Sequence, residues 1–247
     1  MTAGSVMDRE EAARLDDRTA SYRWDQVARD LDGQGNAVLD RLLSPDECRS
    51  LADLYSEEAL FRSRVVMGSH GFGRGEYQYF RYPLPDLIEQ LRTTLYSRLA
   101  PLANRWNEAL GLEIRYPATH PEFLDRCHRA GQVKPTPLLL QYVSGDYNCL
   151  HQDVYGDLVF PLQVAVLLSE PGRDFTGGEF VMTEQRPRMQ SRAEVVPLNQ
   201  GDAIVFTVRQ RPVRGIKGVY RVNLRHGVSR IRSGRRHTLG IILHDAL

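Results

Sequence analysis

The chain has little cysteine, no long apolar run and no internal repeat, and each shortage removes a class of protein. Three cysteines, Cys48, Cys127 and Cys149, are scattered through 247 residues. They form neither a disulfide framework nor a zinc-ligand spacing, and they suit a reducing compartment. No apolar run approaches the roughly 18 residues of a membrane span. The longest candidate, Leu158 to Leu168, is interrupted by Pro161 and Gln163. Met1 to Arg18 is crowded with charge and lacks the apolar core of a signal peptide. A cytoplasmic protein without membrane contact is therefore expected. The glycine-rich string Gly68 to Gly75 holds no lysine, which argues against a phosphate-binding P-loop.

What is present is an ordinary globular composition, 42% hydrophobic and 26% charged, long enough for a sizeable core. The net charge of +1 hides an asymmetry. Ala203 to Arg236 carries ten basic residues and no acid, leaving 22 basic against 31 acidic residues elsewhere. A basic segment on an acidic body suits an anionic partner, although solvated strand faces would give the same pattern.

Secondary-structure signals divide the chain. The first 35 residues are polar, with a helix or two expected. Ser44-Pro45-Asp46-Glu47 opens a helix through a cap, an N1 proline and two acids at the positive end of the dipole, and that helix is expected to reach about Ala59. Pro85 to Leu110 reads as helical, with Leu87, Leu91, Leu95 and Leu99 at four-residue spacing and a break near Pro101. After Pro137 come short apolar runs, including Leu138 to Val143, Ala203 to Phe206, Val222 to Val228 and Thr238 to Leu243, separated by turn residues. The expected architecture is α+β: a polar segment (1–35), a helical buttress with a substrate-side loop (36–136) and a double-stranded β-helix, or jelly roll, as the C-terminal core (137–247).

The chemistry centres on His151-Gln152-Asp153. In an extended chain residues i and i+2 share a face, so an imidazole and a carboxylate aim at one point. His226 lies in a later strand. Two histidines and one carboxylate on one face of an octahedron leave three positions open, the arrangement of non-haem iron(II) oxygenases. The triplet alone is weak, and a strand histidine is often a core residue. Beyond a turn at Ser233-Gly234, however, Arg236 can return towards the metal and offer its planar fork to a carboxylate, and Thr238 shares its face.

His151-x-Asp153, Gly177-Gly178-Glu179-Phe180, Gly201-Asp202-Ala203-Ile204-Val205-Phe206, His226 and Arg236 together resemble the 2-oxoglutarate/Fe(II) dioxygenase superfamily, nearest its prolyl-hydroxylase-like branch. Leu138 to Asp157, Phe175 to Arg192 and Arg225 to Ala246 are similar to a bacterial family of such oxygenases proposed to act on nucleic acids. The resemblance implies Fe(II), 2-oxoglutarate and O2, with iron on His151, Asp153 and His226. It also implies 2-oxoglutarate on Arg236, with Arg235 as the alternative, and a cosubstrate contact from Tyr142. The chemistry implied is hydroxylation or oxidative demethylation.

Single-stranded or damaged nucleic acid is the expected substrate, as in alkylation repair or base modification. Tyr77 and Tyr79 of the aromatic loop Glu76 to Tyr82, with Tyr147, Tyr155, Arg186 and Arg188, are the candidate substrate contacts. A peptide side chain is an alternative substrate, as is a small metabolite held by Glu184, Arg186 and Arg188. A non-catalytic β-sandwich module would make the triad coincidental. Of the other histidines, His128 reads as a surface or packing residue and His237 as structural; His70 carries no assignment, and His244 has no argument beyond proximity.

Overall fold

The computed structural model describes residues 15–154, 156–216 and 218–247. Two antiparallel sheets face one another, and helices cover the outer face of the larger one. Residues 15–21 are helical. They are followed by α1 (Trp24–Gln34), β1 (Asn36–Leu39), α2 (Pro45–Asp53), β2 (Phe61–Val66), β3 (Gly73–Arg74), β4 (Glu76–Phe80), α3 (Asp86–Ala109) and α4 (His120–Arg129). The remaining strands are β5 (Leu138–Val143), β6 (Tyr147–His151), β7 (Leu162–Leu167), β8 (Phe175–Gly177), β9 (Phe180–Gln185) and β10 (Arg192–Val196). Then come β11 (Ala203–Thr207), β12 (Gln210–Gly215), β13 (Gly218–Val228) and β14 (Ile231–Ile241).

The eight-stranded sheet runs β1-β11-β7-β14-β5-β4-β2, with β8 attached to β14. The six-stranded sheet runs β10-β9-β13-β6-β3, with β12 on β13. The larger sheet is covered on both faces, which is why β7 and β11 are buried at every position and read as continuous apolar runs. Val164, Val166 and Val205 pack into the helix layer with Leu91, Leu95 and Leu99. Ala165, Ile204 and Phe206 meet Phe180, Met182, Val222 and Leu224 between the sheets. The α+β jelly-roll architecture is thus observed.

Several local expectations change. The residues 36–136, read as helical, also supply β1, β2 and β4 to the larger sheet. The aromatic loop Glu76 to Tyr82 is largely the strand β4, wedged between β2 and β5. The α2 capping box forms as expected, with Ser44 Oγ accepting from Glu47 N at 3.2 Å and Ser44 N donating to Glu47 Oε2 at 2.6 Å. The helix ends at Asp53 and passes into two 3-10 turns instead of reaching Ala59. Gln78 Nε2 donates to the Tyr55 carbonyl at 2.8 Å, occupying an acceptor that a continuing helix would use. Pro101 does not break α3. Pro101 and Ser97, whose carbonyl loses its helical partner, both face solvent, while Leu95, Leu99 and Leu102 hold the buried stripe together.

The C-terminus is pinned by a buried ion pair, Arg92 Nη2 to Asp245 Oδ1 at 2.6 Å. Tyr82 OH (2.9 Å) and His128 Nε2 (2.8 Å) share the other carboxylate oxygen. His128 is thus a surface residue tied to the C-terminal segment.

Burial holds the imidazole of His120 down at about 3, and those of His237 and His244 at about 4. In the unfolded chain they return to about 6.5 and bind protons that the fold excludes. As far as these three groups are concerned, stability is full above neutrality and is lost as pH falls from about 6.5 towards 4. The thermal midpoint is expected to drop between pH 7.5 and pH 5; a midpoint that holds steady or rises would contradict these burial assignments.

Candidate active site

The site is built where β6 and β13 pair in the smaller sheet. His226 lies opposite His151 and Val228 opposite Asn148, so Gly227 faces both Cys149 and Leu150 across a bulge. A Cβ at Gly227 would lie 2.6 Å from the Asn148 carbonyl oxygen, and only glycine allows the strands to close here. The imidazole centroids of His151 and His226 consequently stand 4.3 Å apart. Asp153 follows the end of β6 with its carboxylate buried. Its Oδ1 lies 3.4 Å from His151 Nε2 and its Oδ2 3.3 Å from His226 Nε2. One ligand atom from each residue falls within 4.8 Å of the others.

The surroundings fix these groups. His151 Nδ1 meets the Cys149 carbonyl at 2.8 Å, which turns Nε2 to the centre. Between His151 and Asp153, Gln152 Nε2 donates to the Leu224 carbonyl at 2.7 Å and to that of Arg209 at 3.3 Å. His226 Nδ1 is buried and unpartnered. Burial alone would raise the Asp153 carboxyl, but its bonds to both imidazoles outweigh burial and hold it well below the carboxylate range. Burial lowers His226 and dominates over the pull of Asp153. At His151 burial also lowers, yet the Asp153 bond and charge overcome it and raise the group. An anionic oxygen and two imidazoles converging on one point fit a divalent cation of the iron type.

A cavity of about 350 Å³ joins this triad to the larger sheet, where Tyr77, Tyr142, Gln163, Arg236 and Thr238 line it. Arg236 and Tyr142 are direct partners across β14 and β5, and the guanidinium carbon lies 5.7 Å from the tyrosine ring. Arg236 Nη1 donates to Thr238 Oγ1 at 2.5 Å, while Nε has no partner. Burial lowers its pKa to about 10, so it is still a cation at neutral pH. Among the described residues no carboxylate lies within ion-pair distance of it. A buried, uncompensated cation is costly, and a dicarboxylate ligand would neutralise it. Arg235, its neighbour, points to solvent.

Residues 75–246 match the model of the Oxygenase-NA family, described as an oxygenase catalysing oxidative methylation of damaged DNA. The chain belongs to this family. It is a 2-oxoglutarate-dependent oxygenase, an oxidoreductase of the class that uses Fe(II), 2-oxoglutarate and O2. An uncharacterised protein of Mycobacterium tuberculosis, found in two strains, is 48% identical over 194 residues, covering 76% of this chain and 83% of the relative. In fold the oxygenase is similar to a Pseudomonas putida prolyl-4-hydroxylase, with TM-score 0.51, 16% identity, and 88% of this chain and 96% of that one covered. It is also similar to a Trichoplax adhaerens prolyl hydroxylase solved with a hypoxia-inducible-factor peptide, with TM-score 0.52, 15% identity, and 98% and 94% covered.

The structure of the oxygenase gathers His151, Asp153, His226, Arg236, Tyr142, Thr238 and Tyr77 around one cavity, and separates the other candidates from it. Tyr79 packs edge-on to Tyr77 at 5.4 Å and clusters with Leu138 and Ile242. Tyr147 is exposed beside Arg74, because Asn148 takes the inward position on β6. Arg186 is bound to Glu184 at 2.9 Å, and Glu184 also pairs with the buried Arg211, so neither Arg186 nor Glu184 faces the cavity. Arg188 belongs to the same β9–β10 hairpin, in a left-handed turn conformation. Tyr155 and Lys217 lie outside the described residues. Of the other basic residues between 203 and 236, only Arg211 and Arg236 are buried.

Gln163 and Phe72 line the cavity without having carried a site expectation in the sequence. Gln163 is the one polar residue of β7, is 5% exposed, and its carbonyl oxygen is unpartnered. A glutamine in an otherwise apolar run was the available signal. Phe72 sits among glycines and gave none.

The bulge carries a prediction. Gly227→Ala must push β13 off β6 and separate the two imidazoles. Divalent-metal affinity, read by calorimetry with cobalt(II), is expected to fall at least about tenfold, the loss typical of displaced ligand support. Unchanged affinity would show that the glycine is dispensable.

Proposed function

We propose that the oxygenase oxidises an alkylated base in nucleic acid, with His151, Asp153 and His226 holding iron(II) and Arg236 receiving the distal carboxylate of 2-oxoglutarate. The observation that carries the cofactor assignment is the buried, anion-free Arg236 lining the same cavity as the triad. Thr238 and Tyr142 flank the guanidinium, and Thr238 already accepts one of its hydrogens. The family description supports damaged DNA as substrate. The mostly exposed arginines around β12 and β13 support a polyanion.

When bound, the iron activates dioxygen at the expense of 2-oxoglutarate, which leaves as succinate and carbon dioxide. On an N-methyl base the carbon is released as formaldehyde and the nitrogen keeps a hydrogen. The protein's share is positional. Gln152 locks the ligand loop to β13, the His151 bond to the Cys149 carbonyl fixes one imidazole, and the apolar walls from Leu140, Ala165 and Phe206 limit water.

Hydroxylation of a peptide is the second reading, favoured by fold similarity to prolyl hydroxylases. At 15 and 16% identity that similarity speaks for the fold alone.

A single-stranded oligonucleotide with one N-methylated base is expected to give formaldehyde and succinate in equal amounts, with KM rising steeply with salt. Asp153→Ala is expected to lose this turnover by about a thousandfold or more, since the ligand set is broken. Formaldehyde-free, oligonucleotide-independent succinate from the wild type would contradict the nucleic-acid reading. Full activity in Asp153→Ala would contradict the metal assignment.

A further inference from the structure

We infer that Phe72, backed by His70, is a positioning residue that stacks a planar ring of the substrate at the mouth of the iron cavity. The inference rests on the nucleic-acid reading above and adds a residue to it.

Phe72 lines the cavity yet is 47% exposed, so it stands at the opening. Leu150 and Val154, each 43% exposed, line the same opening. Three exposed apolar side chains at one cavity mouth are an apolar rim, and such a patch on a soluble chain marks a contact surface. The imidazole of His70 lies against the Phe72 ring, with centroids 5.3 Å apart and planes 21° from parallel. One face of the phenyl ring is therefore supported.

The ring is also anchored to the ligand-bearing strand. Cys149 N donates to the Phe72 carbonyl at 2.9 Å, two residues before His151. Gly73 and Arg74 pair with Asn148 and Tyr147 of β6. Gly73 sits at φ +129, and a Cβ there would lie 2.4 Å from the Tyr147 carbonyl oxygen. This close approach fixes Phe72 relative to the triad. A group stacked on it is held at a set distance from the metal position, which is what a reaction at one defined atom requires. Exposed Arg74, two residues after Phe72 and 3.6 Å from Asp146 through its Nε, places a guanidinium beside this rim. A flat apolar face beside a cation is complementary to a base on a phosphate backbone.

The test compares wild type, Phe72→Ala, Phe72→Trp and His70→Ala. A fluorescent single-stranded oligonucleotide with one N-methylated base is titrated by anisotropy in the presence of iron(II) and 2-oxoglutarate without oxygen. KM and kcat for formaldehyde are then measured in air, and thermal midpoints check folding. Phe72→Ala is expected to raise Kd and KM about tenfold, the scale of one lost base–aromatic contact. Phe72→Trp is expected to restore both, and His70→Ala to fall between. Wild-type turnover of the oligonucleotide with a folded Phe72→Ala of equal Kd and KM would overturn this inference alone. A wild type that turns over a peptide and ignores the oligonucleotide would overturn the nucleic-acid reading and this inference with it.

Discussion

The pairing of β13 with β6 across Gly227 is the constraint on which the site depends. Two imidazoles from distant parts of the chain must share one point in space, and neither strand alone can deliver that. The bulge lets β6 place two residues against one, so that His151 and His226 come opposite each other with their rings 4.3 Å apart. Asp153 then needs only the short turn through Gln152 to bring a carboxylate oxygen to each imidazole. The rest of the jelly roll keeps that junction rigid. Phe180 and Phe206 pack against His226 from below, at 5.9 and 4.5 Å.

Facing this junction is a second unusual expense of folding, the burial of Arg236. Its neighbours are a hydroxyl and two aromatic rings, at 5.7 and 5.8 Å from the guanidinium carbon. Among the described residues the other two buried arginines are paired: Arg92 with Asp245, and Arg211 with Glu184. The contrast matters. The same chain that neutralises two buried arginines with carboxylates leaves the third, in the cavity, without one among the described residues, and the proposed 2-oxoglutarate site rests on that difference. The Asp153 carboxylate and the Arg236 guanidinium thus line one cavity, and the proposed keto-diacid, held by metal at one end, would match that polarity.

Much of this was legible in the residues. The spacing of His151 and Asp153 made the pair readable, although Asp153 lies just past the strand that carries His151, and the alternation that places Arg236 inward and Arg235 outward follows from the period of two. The jelly roll was legible in turn-punctuated apolar runs. What escaped were features set by tertiary packing. The aromatic loop expected over Glu76 to Tyr82 is mostly the strand Glu76–Phe80 with both edges paired, which leaves Tyr77 to the cavity and Tyr79 to the core. Arg186 and Arg188 looked like substrate cations because their string is polar, but Glu184 had already engaged Arg186. Pro101 was expected to break a helix that its apolar stripe holds together. Phe72 and Gly227 derive their significance from what lies across the sheet, which no local pattern encodes.

The most direct measurement of the central claim is the visible charge-transfer band of iron(II) chelated by 2-oxoglutarate, titrated without oxygen in wild type and Arg236→Gln. The account predicts that the band appears in wild type at one iron per chain. It also predicts that half-saturation in 2-oxoglutarate moves upward by about tenfold or more when the guanidinium is removed, as expected for loss of a charge-assisted pair. A wild type with no band and no retained iron would contradict the account. So would a band whose 2-oxoglutarate dependence is the same in both proteins.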